Sequence, residues 1–327
     1  MREINYAQGM GEAIQEEMAR DDAVFQIGED IGPVRKRQDL WEEFRKRRTF
    51  QTPISESGFT GIGVGAAATG LRPIVVIMYC DFVTCAMDQV VNQAAKLTLM
   101  SGGEIKLPMV IRMPAGAGTR EGAHHSQSLE AWFVHTPGLK VVMPSCAYDA
   151  KGLMKSAIRD NGPVVYIHHR LLHATRQTVP EGEWLVPIGV GDVKREGKDV
   201  TVVAVSYGVH KALEAAAALE GEISVEVVDP RSLSPLDVGT ILKSVKKTGK
   251  LLVVHEAPEV AGVGAEIVRR VTEEGFDLLK AAPKVIGCAH LPMPYSAPLE
   301  DACLPQKEDI IQEVRKMVGT RTCVRTS

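Results

Sequence analysis

Glu56 stands where a carboxyl group could handle protons. The segment Thr52-Pro53-Ile54-Ser55-Glu56-Ser57-Gly58 runs into residues 59–70, a helical stretch crowded with Gly61, Gly63, Gly65 and Ala66 to Ala68. Small residues at that density let a helix approach other backbone closely. A carboxylate at the entrance of such a helix, between apolar Ile54 and Phe59, is partly withdrawn from water. That favours its protonated form and suits acid–base work. The plainer alternative is an acid that caps a helix and meets its dipole.

Other polar groups compete for attention. His124-His125-Ser126-Gln127-Ser128 follows the Gly-rich loop 114–123 just beyond a candidate strand, where α/β proteins place ligand-handling groups. Adjacent histidines lack the helical spacing that sets two metal ligands on one face. His168-His169, at the end of a strand, read as packing and surface residues. Ser206, between a strand and a helix, with Asp229 and His255 after it, has the Ser…Asp…His order of α/β-hydrolases. Such serine turns are common in α/β folds, so this remains a remote alternative. Gly63-Val64-Gly65-Ala66-Ala67-Ala68 matches a GxGxxA pattern, but no buried strand precedes it, which rules out a dinucleotide fingerprint.

Two absences matter. The chain has no GxxxxGK[ST] phosphate loop, and no Gly-Asp-Gly followed by asparagine, the arrangement thiamine enzymes use for magnesium and diphosphate. Its asparagines are Asn5, Asn92 and Asn161, and none follows Gly191-Asp192.

The elements that must position these groups alternate along the chain. Apolar runs at 24–28, 74–78, 109–113, 140–143, 164–167, 200–205, 224–228, 251–255 and 284–287 predict strands. Most lack polar alternation, as in a parallel sheet buried on both faces. Helical stretches such as 147–160 and 209–219 lie between them, which makes an α/β chain. Residues 178–198 hold Pro180, Gly182, Pro187, Gly189, Gly191 and Gly197, the punctuation of a connection. We therefore expect a larger domain over 1–180, a linker over 181–198 and a smaller domain over 199–327. Two domains also suit 327 residues at roughly 100–200 residues per domain.

Composition narrows the partners. A net charge of -3 with 24% charged residues gives no electrostatic reason to expect nucleic acid or a membrane surface. The basic runs at 35–37 and 45–48 are flanked by acids and read as solvated faces. No apolar run approaches the roughly 20 residues of a membrane span. The start of the chain shows no signal-peptide apolar region and reads as helical from the outset. Six cysteines without a CxxC pair suggest neither a disulfide framework nor a zinc site, and a reducing, cytoplasmic setting is expected.

Ordered segments along nearly the whole chain resemble the beta subunit of the thiamine-diphosphate-dependent decarboxylase component of 2-oxo acid (pyruvate, branched-chain) and acetoin dehydrogenase complexes. They include Thr52-Pro53-Ile54-Ser55-Glu56, Gly70-Leu71-Arg72-Pro73, Met87-Asp88-Gln89-Val90-Val91-Asn92-Gln93-Ala94-Ala95-Lys96, His125-Ser126-Gln127-Ser128-Leu129-Glu130-Ala131, Pro137-Gly138-Leu139-Lys140-Val141-Val142, His255-Glu256-Ala257-Pro258 and Pro292-Met293-Pro294-Tyr295. The resemblance implies two doubly wound α/β domains, a thiamine-diphosphate pyrimidine-binding domain followed by a transketolase C-terminal-like domain. It implies an α2β2 heterotetramer in which the alpha subunit holds the magnesium and diphosphate, so the missing motif is expected. A lipoyl acyltransferase core protein would dock through its subunit-binding domain, on the C-terminal domain of this chain.

Site roles follow from the same resemblance. The position of Glu56 hydrogen-bonds the aminopyrimidine ring of thiamine diphosphate, while Ile54, Met78 and Phe82 pack around that ring. His125 matches a histidine that binds substrate or receives the lipoyl group. Carbonyl oxygens of Met109, Ala157, Asp160 and Gly162 match a potassium site, with Gly162 replacing a commoner asparagine.

The chain also departs from its relatives. The stretch between Asp30 and Leu40 is short and lacks their glycine-rich loop. Val76 replaces an acid, His168 and His173 stand where Glu and Tyr are usual, and Gln51 stands for Asp. A degenerate scaffold subunit is therefore the non-enzyme alternative. Retention of Glu56 and His125 favours an active enzyme using a 2-oxo acid or acetoin, with a slight edge to acetoin.

Overall fold

The computed structural model describes residues 1–31 and 47–319. The short stretch after Asp30 therefore lies almost wholly outside the described residues. The chain folds into two units, the first built from Met1–Gly116, Leu129–Ile188 and Leu233–Pro235, the second from Ala117–Ser128, Gly189–Ser232 and the chain from Leu236 onward.

In the first unit the chain order is β1 (Arg2–Asn5), α1 (Tyr6–Arg20), β2 (Val24–Gly28), β3 (Thr49–Gln51), α2 (Glu56–Ala68), β4 (Arg72–Val76), a 3-10 turn (Cys80–Ala86), a π-helical stretch (Asp88–Ala94), α3 (Leu97–Met100), β5 (Val110–Ala115), α4 (Glu130–Val134), β6 (Lys140–Val142), α5 (Ala147–Arg159), β7 (Val164–His169) and β8 (Arg176–Val179). The central strands run in the order β6-β7-β5-β4-β2-β3, and each of these pairings is parallel. Helices cover both faces. Tyr166 on β7 donates its hydroxyl to the Ala150 carbonyl of α5, whereas Val75 on β4 faces Gly63 of α2.

Two glycines are fixed by close approach. A Cβ on Gly63 would lie 2.5 Å from Val75 Cγ2, so only glycine lets α2 lie this near β4. Four glycines in α2 weaken it intrinsically by about 1 kcal/mol each relative to alanine. Burial of Phe59, Thr60, Val64 and Ala67 offsets that cost. Gly28 ends β2 at φ 152°, and a Cβ there would meet the Val76 carbonyl at 2.1 Å.

The chain does not begin as a helix. Arg2–Asn5 pairs antiparallel with Arg176–Val179, and the Asn5 side chain then caps α1 by accepting from the Gln8 N–H at 2.7 Å. On α1 and α5, Lys151 and Lys155 are buried but paired with Glu16 and Glu17. Such buried pairs give little net stability and fix how two helices meet.

The rest of the chain follows as β9 (Asp192–Arg195), β10 (Val200–Ala204), α6 (Tyr207–Ala218), β11 (Val225–Asp229), β12 (Ser232–Ser234), α7 (Val238–Thr248), β13 (Leu251–Pro258), α8 (Val263–Gly275), β14 (Lys284–Cys288), α9 (Ala297–Cys303) and α10 (Lys307–Val318). Of these, β12 joins the first unit's sheet beside β6. The second unit's sheet has the order β14-β13-β10-β11-β9, parallel except for the edge strand β9. Strand residues alternate between two cores. Val200, Val202, Val227 and Val254 pack against α6 and α10, and Val203, Val228 and Val253 against α7 and α8. Burying each such side chain is worth about 1.5–3 kcal/mol, which is why the inner strands are largely apolar on both faces. The Gly/Pro-rich segment expected as a linker contains β9. No helix of the described residues is long and apolar enough to cross a membrane.

Candidate functional site

In the first unit the site starts from two carboxyl groups. Glu56 is the first residue of α2 and is 8% exposed, at the helix end where a carboxylate is electrostatically favoured. Glu29 follows directly on Gly28. The close approach of that glycine to β4 places Glu29 Oε1 3.2 Å from the Met78 N–H, from which it accepts. Glu29 Oε2 is buried without a hydrogen-bond partner. Burial pushes the Glu29 carboxyl above its ordinary range, and the neighbouring Glu56 charge pushes it further. The two groups thus lie close enough for the Glu56 charge to act on Glu29.

Around them lie apolar groups that are only partly covered. Met78 and Phe82 are half-buried, with Phe82 edge-on to Tyr79 at 5.5 Å, and the 3-10 turn that carries Phe82 packs on α2. Ile54 is 79% exposed. Ile54 and Glu56 therefore stand at the start of α2 and Met78 and Phe82 just beyond β4, where Glu29 accepts from Met78. Sequence reasoning missed Glu29. Its signal was an acid directly after a strand-ending glycine, too common to single out.

Four carbonyls were expected to face potassium. That of Met109 accepts from Val164 N–H at 2.9 Å and that of Ala157 from Asp160 N–H at 3.3 Å. The Asp160 carbonyl accepts from Arg72 Nη1 at 3.0 Å. A guanidinium thus already brings positive charge to this corner, while each carbonyl retains a second lone pair. Gly162 lies beside them, its N–H bonded to Asp160 Oδ1.

His125 belongs to the second unit, on the loop Ala117–Ser128. The loop is anchored residue by residue. Ala117 N–H donates to Glu256 Oε1 at 2.6 Å, Gly118 N–H to Glu300 Oε1 at 2.8 Å, and Arg120 N–H to Glu300 Oε2 at 3.2 Å. Glu300 is fully buried. Gly122, at φ 71°, lies against the Tyr295 ring, which leaves no room for a Cβ. His125 is half-buried and His124 exposed, so the backbone anchors hold His125 while its ring keeps a path to solvent. Glu300 was also missed, since its role comes from contacts 180 or more residues away.

The hydrolase alternative fails on geometry. Ser206 does adopt a strained turn, φ 53° and ψ -119°, ahead of α6. But neither ring nitrogen of His255 is hydrogen-bonded to a serine or an aspartate, whereas a triad needs one bonded to each. The His255 ring instead packs where Cβ atoms on Gly262 and Gly264 would collide with it at 2.7 Å. Burial pushes its pKa down to about 4.

Known proteins resemble this chain along most of its length. The family model for the transketolase pyrimidine-binding domain matches residues 2–175, and that for the transketolase C-terminal domain matches residues 189–310. The chain is 45% identical over 320 residues to the pyruvate dehydrogenase E1 component subunit beta of Rickettsia conorii, covering 96% of this chain and 98% of that protein. It is 43% identical over 329 residues to the acetoin:2,6-dichlorophenolindophenol oxidoreductase subunit beta of Cupriavidus necator, covering 96% and 97%. A solved structure titled "Split gene transketolase, inactive beta4 tetramer" matches with a TM-score of 0.80 over 97% of this chain and 98% of that one. At 24% identity that likeness speaks to the fold.

Proposed function

This chain belongs to the family of pyruvate and acetoin dehydrogenase beta subunits with transketolase-type domains, and from that premise we propose that it is the beta half of a thiamine-diphosphate-dependent decarboxylase component. It works with an alpha subunit as an α2β2 tetramer in the cytoplasm. The complex cleaves a C–C bond of a 2-oxo acid or acetoin and passes the acyl group to lipoyl groups of a core acyltransferase. The observation that carries this reading is the pair of buried carboxyls Glu29 and Glu56 beside half-exposed Met78 and Phe82.

These residues suit an aminopyrimidine. Its ring nitrogens need a carboxyl partner and its faces need apolar cover, and the orphaned Glu29 Oε2 marks a polar site open to a further donor. When bound, thiamine diphosphate supplies a carbon nucleophile and an electron sink for C–C cleavage. The chain's own tasks are narrower. Glu56 meets the ring nitrogen and governs its proton. Glu29, its pKa raised by burial, holds a second carboxyl near Glu56. Met78, Phe82 and Ile54 hold the ring plane and exclude water, and His125 serves the substrate or lipoyl end. Magnesium belongs to the alpha subunit. Potassium is assigned to the carbonyls of Met109, Ala157, Asp160 and Gly162.

Titration calorimetry with thiamine diphosphate and magnesium tests the reading, first on this chain and then on its mixture with the alpha chain of the same genome. Binding in the mixture alone, followed by turnover of acetoin, pyruvate or branched-chain 2-oxo acids, is the expected result. Absence of binding in an assembled mixture overturns it in favour of a scaffold subunit.

A further inference from the structure

Three of the sequence departures, at Val76, His168 and His173, meet at one side chain. Val76 is in register with Arg112 across the parallel pairing of β4 and β5, and Arg112 is in turn in register with Tyr166 on β7. Arg112 Nε lies 3.3 Å from Nε2 of His168, and His168 Nδ1 lies 2.8 Å from Nε2 of His173. A guanidinium can only donate. Arg112 therefore donates to His168 Nε2, which leaves the His168 proton on Nδ1 to be donated to His173. Both imidazoles are neutral in this relay. Their surroundings agree: burial, then the Arg112 charge, holds His168 well below its usual pKa and His173 at about 4.

Arg112 has no counter-ion among the described residues: it makes no ion pair, and the bond to His168 is the one hydrogen bond of its side chain. Its neighbours supply no negative charge. Val76 is apolar, the Tyr6 hydroxyl is spent on the Pro144 carbonyl and that of Tyr166 on Ala150. His169 and Arg170 lie on the same strand end. Burial makes the guanidinium's charge less favourable than in water. A partly buried guanidinium whose one side-chain partner is a neutral imidazole keeps donors to offer an anion.

We propose that Arg112, backed by the neutral His168–His173 relay, binds a small monovalent anion such as chloride or formate. The size follows from the walls, since Tyr6, Tyr166 and His168 are all 1% exposed or less. The charge follows from the donors, whose surplus is one positive charge. This site makes no use of the Glu29–Glu56 pair, and its test needs neither the alpha subunit nor thiamine diphosphate.

The test is thermal melting of the full chain in sodium chloride, formate or bulky gluconate at one ionic strength. Chloride or formate is expected to raise the midpoint saturably, by about 2–4 °C over gluconate. His168→Glu supplies an internal carboxylate and should melt higher in gluconate and lose the response, while His168→Gln keeps a neutral acceptor and should retain it. A wild-type midpoint that depends on ionic strength alone, or an undiminished response in His168→Glu, overturns the proposal. Should the variant not fold, wild-type chain labelled with ring-15N histidine decides. Chloride must shift two ring resonances with one common midpoint, and histidine spectra indifferent to the anion overturn the site.

Discussion

Glu300 Oε2 accepts from Arg120 twice, from its backbone N–H at 3.2 Å and from its guanidinium at 2.7 Å. A buried carboxylate on a short helix thereby fixes the base of the loop that carries His125. Glu300→Ala should leave the Gly118 and Arg120 N–H groups without that acceptor and destabilise the chain by about 1–3 kcal/mol. Glu300→Gln keeps an acceptor and should lose less. Urea melts order the three proteins, and turnover of the assembled complex should fall in the same order as His125 loses its anchor.

Glu56→Gln should reduce turnover of the αβ complex by about 100-fold or more, the usual scale for removing an acid–base group. Its melting midpoint and its ability to assemble should stay near those of the parent. Parental activity in an assembled Glu56→Gln complex would remove this residue from the chemistry.

Glu29 carries a sign that can be checked. Its folded pKa is raised, so over the interval above the ordinary carboxylate range the native state holds more protons than the unfolded chain. Stability then falls as pH rises through the folded pKa. Glu29→Gln removes that loss. The variant should gain on the parent from acid toward neutral pH, while its turnover drops. Urea midpoints across a pH series measure the gain, and equal slopes in both proteins would refute the assignment.

His255 predicts the opposite slope. Its pKa is depressed to about 4, against roughly 6.5 when unfolded. Between these values the unfolded chain binds the extra proton, so stability is intact above the upper value and is lost as pH falls toward the lower one. His255→Leu should flatten this part of the pH–stability curve by up to about 1.4 kcal/mol per pH unit. Turnover at neutral pH should change little.

Legibility in the sequence followed distance along the chain. The nine apolar runs all became strands, because a strand buried on both faces needs apolar residues whatever surrounds it. Arg2–Asn5 and Asp192–Arg195 escaped notice since each is a short polar edge strand whose partner lies elsewhere in the sequence. Among candidate site residues, Glu56 announced itself through its own helix. Glu29 acquires meaning only from Met78 and Glu56, and Glu300 only from Gly118 and Arg120. Val76, His168 and His173 looked like three unrelated oddities until the sheet register brought the first to Arg112 and hydrogen bonds brought the other two.

The chain enters each unit more than once. Ala117–Ser128 interrupts the first unit's sequence yet folds with the second, and Leu233–Pro235 does the reverse. A gene cut at the connecting segment would strip the first unit of a sheet-edge strand and the second of its histidine loop. The units are modular in space without being modular along the gene, so recombination that swaps one whole unit for a homologue's would yield mismatched hybrids of both. Inheritance of the complete chain is the arrangement that keeps both intact.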